Sequence, residues 1–212
     1  MLRSHKGTGF TLVELLVSIS IFIFMTALLV ANYGSFNNSV LLTNLAYDIA
    51  LSIRTAQTYG LSVQGQNNNF QNPYGVAFCA ISICSDSTVS FTNKQVILFS
   101  DSSASKGAYN TGDALVPPNY AIKNGAFIGD ICLYGNAWQC GQSRVDITFL
   151  RPNPDALICL QGSGGAPFNC SGSLQALSVV KIIVQAPDGN QRSIIVRKTG
   201  EISVVNGGAN AN

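Results

Sequence analysis

Charge is what this sequence has least of. Of 212 residues, 12 are Lys or Arg and 10 are Asp or Glu, so charged side chains make up 10% of the chain, far below the roughly one quarter of a soluble globular domain. A net charge of +2 gives no broad field for a polyanion. The single histidine, His5, stands near the N-terminus, which excludes a His-activated thiol or hydroxyl further along the chain. No internal repeat is present. Gly162-Ser163-Gly164-Gly165 lacks the following Lys-Ser/Thr of a phosphate loop and reads as a flexible turn. Disorder is excluded as well, because 47% of the residues are hydrophobic and net charge is small.

What is present is a long apolar run. Met1 to Gly9 is short and polar, with Arg3, His5 and Lys6 and no acid, and Phe10 to Ala31 is almost uninterrupted Leu, Val, Ile, Phe, Met and Ala. A helix over residues 10–31 would be about 33 Å long, enough for a hydrocarbon core. The preceding basic residues set its N-terminus on the cytoplasmic side. The run exceeds the h-region of a secretory signal, and its end, Leu-Leu-Val-Ala-Asn-Tyr, is a poor small-residue cleavage site. Glu14 lies inside it. A carboxylate there costs roughly 2.5–3.5 kcal/mol unless it finds a partner, which marks it as a functional residue.

The segment Lys6-Gly7-Thr8-Gly9-Phe10-Thr11-Leu12-Val13-Glu14 resembles the N-terminus of type IV prepilins and pseudopilins. The resemblance implies cleavage between Gly9 and Phe10 by a membrane-embedded prepilin peptidase, then N-methylation of Phe10. Glu14 matches the family's assembly glutamate, which pairs with a subunit's N-terminal amine. The implied partners are other pilin subunits, the peptidase, an inner-membrane assembly platform and the membrane itself. The implied role is architectural, with no enzymatic activity and no cofactor. Leu45 to Gly60 and the terminal Ile-Val-Arg-Lys-Thr-Gly-Glu-Ile-Ser-Val (195–204) are similar to H-type minor pseudopilins and FimT-like minor pilins.

The expected fold is α+β: a long N-terminal helix, membrane-spanning in its first half, packed on a small antiparallel sheet with disulfide-bridged loops. Boundaries fall at 1–9 (leader), 10–31 (span), 32–60 (second half of the helix) and 61–212 (β-rich head). Asn32 to Ser39, with Gly34 and several asparagines, predicts a bend or local melting. Leu42, Leu45, Ile49, Ile53 and Ala56 recur at helical spacing, and Gly60 predicts the stop. Strands are expected at Val76–Ile83, Gln95–Ser100, Ala126–Tyr134, Val145–Leu150, Ala156–Leu160, Leu177–Ala186, Gln191–Lys198 and Glu201–Val205. Pro187-Asp188-Gly189-Asn190 marks a hairpin turn. Asp101 to Asn119 reads as a long polar loop and Gly65 to Pro73 as an Asn/Gln-rich one.

Cys79, Cys84, Cys132, Cys140, Cys159 and Cys170 all follow the apolar run. An even count behind an export signal predicts disulfides in an oxidising compartment. Sequence does not choose among the pairings; the sequential set Cys79–Cys84, Cys132–Cys140 and Cys159–Cys170 is the expectation, since each pair brackets a short loop. The spacings are not those of zinc ribbons and no histidine joins them, so no metal is expected. Asp113, Asp130, Asp146 and Asp155 are scattered and read as solvated loop or turn acids. The alternative functional reading is a DNA-binding minor pilin of an uptake machine, with Lys181, Arg192, Arg197 and Lys198 as the patch. Period-two alternation puts Arg192 and Arg197 on opposite faces. Glu201 also stands in the Gly-containing segment where DNA-binding members of the family carry arginine. A further alternative is a membrane-anchored extracytoplasmic domain that never polymerises.

Overall fold

The computed structural model describes residues 9–62, 72–85, 89–102, 107–116, 119–135, 137–161, 169–170 and 178–208. The leader up to Thr8, residues 65–71, the 162–165 turn and the side chain of Cys170 lie outside the described residues. The chain divides into two compact units, Met1–Asn38 and Ser39–Asn212. Helix α1 (Leu12–Leu61) contributes to both.

In the first unit, Leu12–Ala31 has a mean hydropathy of 2.5 and is 0% buried. Its few hydroxyls are absorbed by the helix itself. Ser18, Ser20 and Thr26 donate to the carbonyls of Glu14, Leu16 and Phe22 at 2.7, 2.8 and 2.9 Å, so these hydroxyls within the apolar stretch are satisfied internally. Residues 32–39 are helical rather than melted. Gly costs only about 1 kcal/mol against Ala in a helix and Asn less, too little to break a segment with strong formers on both sides.

The second unit begins with the remainder of α1. Its strands are β1 (Tyr74–Cys79), β2 (Cys84–Ser85), β3 (Ser90–Phe91), β4 (Gln95–Ser100), β5 (Ala114–Leu115), β6 (Tyr120–Ala121), β7 (Phe127–Tyr134), β8 (Trp138–Gln139), β9 (Arg144–Phe149), β10 (Ala156–Gln161), β11 (Asn169–Cys170), β12 (Val179–Gln185), β13 (Gln191–Arg197) and β14 (Ile202–Asn206). The α+β class and the antiparallel pairing stand, but the head is not one small sheet. Among the described residues a seven-stranded sheet runs β11-β10-β9-β1-β4-β5 with β6 also on β4, a five-stranded sheet runs β14-β13-β12-β7-β8, and β2-β3 form a short ribbon. Leu42, Leu45, Ala46, Ile49, Ala50, Ile53 and Ala56 of α1 are buried in one apolar core with the inner faces of both larger sheets. One helical stripe thus serves two sheets.

Two local expectations change. β1 ends at Cys79, not Ile83; the Cys79–Cys84 bond closes residues 80–83 into a loop that leaves Ile81 and Ile83 exposed. Gly60 does not stop α1, which continues to Leu61. A Cβ there would collide with the carbonyl oxygen of Phe149, so the glycine permits close approach of α1 to β9.

The outer face of the larger sheet also overturns the solvated-acid reading. Every residue of β9 is buried, because the β2–β3 ribbon and the segment around Tyr109 cover that face in a second cluster containing Phe91 and Phe99. Arg144 and Asp146 are both fully buried there. Arg144 Nε and Nη2 donate to Asp146 Oδ1 and Oδ2 at 3.0 and 2.7 Å, a bidentate pair. Arg144 Nη2 also donates to the Tyr109 carbonyl at 2.6 Å, and the Tyr109 amide to Asp146 Oδ2 at 2.9 Å. The guanidinium lies 5.0 Å from the centroid of Phe91. Burial, more than the neighbouring charges, pushes the Tyr109 phenol above its usual value. Asp113 is buried too, its two oxygens accepting from the amides of Ser102 and Asn110 at 2.9 Å each. Asp155 is exposed and Asp130 half-buried. Asp146→Ala strands a buried guanidinium and is expected to cost about 3–5 kcal/mol. Denaturant unfolding measures it; a loss within experimental error of zero would contradict the pair's role.

Candidate functional site

Gly9 and Phe10 are exposed, and a Cβ at Gly9 would meet no atom within 4 Å. Thr11 caps α1. Its Oγ1 accepts from the Glu14 amide at 3.3 Å and donates to Glu14 Oε2 at 3.4 Å, while its carbonyl accepts from the Leu15 amide at 3.2 Å. This Thr-x-x-Glu arrangement is legible in the sequence as a capping pattern. A 3.4 Å hydrogen bond is weak, and no cation among the described residues reaches the carboxylate. The surrounding surface is unusually apolar, with Phe10, Leu12, Phe22 and Leu29 between 68% and 79% exposed.

In the second unit, α1 turns Tyr47 and Leu51 outward, 60% and 62% exposed. On one side of Leu51 a groove of about 410 Å³ lies between Tyr47, Arg54 and the residues Ile202 and Val204 of β14. Among the described residues β14 ends its sheet and pairs only with β13. Arg54 Nη2 donates to the Ile202 carbonyl at 3.4 Å. On the other side a groove of about 240 Å³ is bordered by Ser52, Thr55, Leu98 and Tyr120. The Tyr120 hydroxyl donates to Asp48 Oδ2 at 3.3 Å; burial first, and then Asp48, raise its pKa. Leu51 thus stands as an exposed apolar ridge between the two grooves.

The cysteines are placed as follows. Cys79 is bonded to Cys84 and Cys132 to Cys140. Cys159 is also in a disulfide, and the backbone of Cys170 stands directly opposite it across β10–β11. Asp130, Cys132 and Cys140 cluster, but the two sulfurs are joined to each other and Asp130 Oδ1 accepts from the amides of Ile131 and Gly141 at 2.7 and 2.8 Å. That chemistry does not suit a metal.

The four basic residues of the DNA reading do not converge. Lys181 is fully buried, with Nζ 3.9 Å from the centroid of Trp138, so it offers nothing to a phosphate. It faces the side of the five-stranded sheet opposite α1, in register with Cys132, beneath the Cys132–Cys140 hairpin. Arg192 turns to α1 and donates to Ser39 Oγ at 3.3 Å. Arg197 pairs with Glu201 at 3.1 Å, and Lys198 is exposed. The burial of Lys181 had a signal: a single charge inside Val-Val-Lys-Ile-Ile-Val suits a strand covered on both faces.

Burial pushes the Lys181 amine below its ordinary 10.5. Such a group carries its full desolvation cost below its folded-state pKa, where both states are charged, and sheds it as pH rises toward 10.5. Relative to Lys181→Met, the wild type is therefore expected to gain stability across that alkaline window. Denaturant midpoints of the two proteins, from near neutral pH upward, measure the difference; a pH-independent gap would contradict the burial. Set against protein-family models, curated proteins and solved structures, the chain matches none.

Proposed function

We propose that this chain is the precursor of a pilin-like structural subunit, trimmed before Phe10 and assembled through its N-terminal helix into an inner-membrane-based pilus or type II secretion pseudopilus. The observation that carries the reading is the order Gly9-Phe10-Thr11-Leu12-Val13-Glu14 at the head of a candidate membrane span. Trimming there leaves the apolar helix on the mature protein and places a new ammonium at its first residue. An acid that is unfavourable in lipid and an amine that is equally so favour association when they meet between subunits.

The surfaces fit that role. No residue of Leu12–Ala31 is buried within the chain, and in the proposed role lipid or neighbouring copies cover this apolar surface. The outward Tyr47 and Leu51 add a second contact strip on the same helix. The disulfides suit a head that works in an oxidising space. The subunit's partners are other pilins, the prepilin peptidase and the assembly platform. No nucleotide-binding motif occurs in the sequence, so the energy for assembly comes from elsewhere in the machine.

N-terminal sequencing and mass of the native product test the reading. Phe10, methylated, is the expected first residue, and a start at Met1 or beyond Ala31 would end it. Gly9→Ala is expected to block trimming, seen as unshifted gel mobility. Glu14→Ala is expected to be trimmed normally yet to be largely absent from sheared filaments; wild-type incorporation would remove the charge-pairing argument.

A further inference from the structure

The second unit has one end at which the chain enters it. Ser39 is its first residue, held by Arg192 at the start of β13. Arg192 follows the hairpin turn Pro187–Asn190, and that turn packs against the neighbouring one, since a Cβ on Gly125 would lie 2.9 Å from Pro187 Cγ. The Lys123–Gly125 turn is tied to the start of β4: the Ile122 amide donates to the Lys94 carbonyl at 2.8 Å, and the Ile128 amide to the Asn93 carbonyl at 2.9 Å. Lys94, Lys123 and Arg192 therefore border the same end. Lys94 and Lys123 are exposed, and neither pairs with an acid among the described residues. Arg192 is half-buried: its Nε is covered and makes no hydrogen bond, and its Nη1 and Nη2 donate to the Gln191 carbonyl and Ser39 Oγ at 3.0 and 3.3 Å. Its charge thus borders this end, while the two lysines are the groups open to solvent. Among the described residues, Asp188 on this border accepts from the amide and side chain of Asn190 at 3.1 and 2.9 Å. The opposite end is marked by Gln57, roughly 27 Å further along α1, which donates to the carbonyls of Pro154 and Gly200. Lys198 is exposed there.

We propose that the end bordered by Lys94, Lys123 and Arg192 rests on anionic phospholipid headgroups while the chain is anchored through residues 10–31. The inference needs the span to be in a membrane; it does not need the chain to polymerise. Covalent reach limits their separation: residues 32–38, even fully extended, keep Ser39 within about 28 Å of the last residue of the span. Cations that come within a Debye length of about 8 Å of an anionic surface are attracted to it, with about a fivefold gain in occupancy for each. An apolar or zwitterionic surface offers these groups nothing comparable. The contact would keep an unassembled head at the membrane and be exchanged for neighbouring subunits on assembly.

The full chain in lipid nanodiscs tests this, with phosphatidylcholine alone compared with phosphatidylcholine mixed with phosphatidylglycerol. Lysine acetylation is followed residue by residue by mass spectrometry, with Lys198 as the internal reference. Lys94 and Lys123 are expected to react several-fold more slowly in the anionic discs, and high salt is expected to abolish the difference. A Lys94→Gln/Lys123→Gln variant is expected to lose the lipid-dependent hydrogen-exchange protection of the Asp188–Asn190 amides. Equal relative rates for Lys94 and Lys123 in both discs would overturn the proposal while leaving the anchor intact. A chain that does not co-purify with discs at all would overturn the anchor, and the proposal with it.

Discussion

The burial of one helical stripe, Leu42 to Ala56, organises the second unit. Seven side chains of α1 enter a core shared with the inner faces of two antiparallel sheets. Remove that stripe and each sheet exposes an apolar face with nothing opposite it. A chain with so few charges has little other means of separating inside from outside, so the helix carries much of the definition of the core. The same helix continues upstream into residues with no such partner. Its two parts meet different surroundings: the later part is buried in the protein interior, and the earlier part is an exposed candidate membrane span.

Charge scarcity also explains how the existing charges are used. Arg144 and Asp146 form a bidentate buried pair that ties the Tyr109 segment to the larger sheet. Lys181 is sealed under Trp138. Asp113 and Asp130 each take two backbone amides. Several of the chain's charges therefore act as internal fasteners for loops rather than as a solvated shell. With the exposed cations few, their placement carries more weight, and the cluster at the Ser39 end is the arrangement from which a lipid contact is inferred.

Glu14 belongs to a different economy. In the structure it completes a weak capping arrangement with Thr11, which helps begin the helix but does not neutralise the carboxylate. The proposed pairing with a subunit's ammonium supplies what the chain alone lacks. In the proposed assembly, the outward Tyr47–Leu51 ridge and its two grooves would be a second contact surface.

Sequence alone determined the features that depend on local pattern: the apolar span, the position of Glu14 within it, the helical stripe, the Asp-Gly hairpin and the approximate extent of most longer strands. These follow from period and composition, which act over a few residues. The partition of the strands into two sheets was decided by tertiary structure, because strand order depends on contacts between residues far apart in the chain. The same is true of Gly60, whose role is set by Phe149, and of Asp146 and Lys181, whose burial is set by the segments that fold over them. A charged residue reads as solvated until something covers it, and what covers it is a property of the fold.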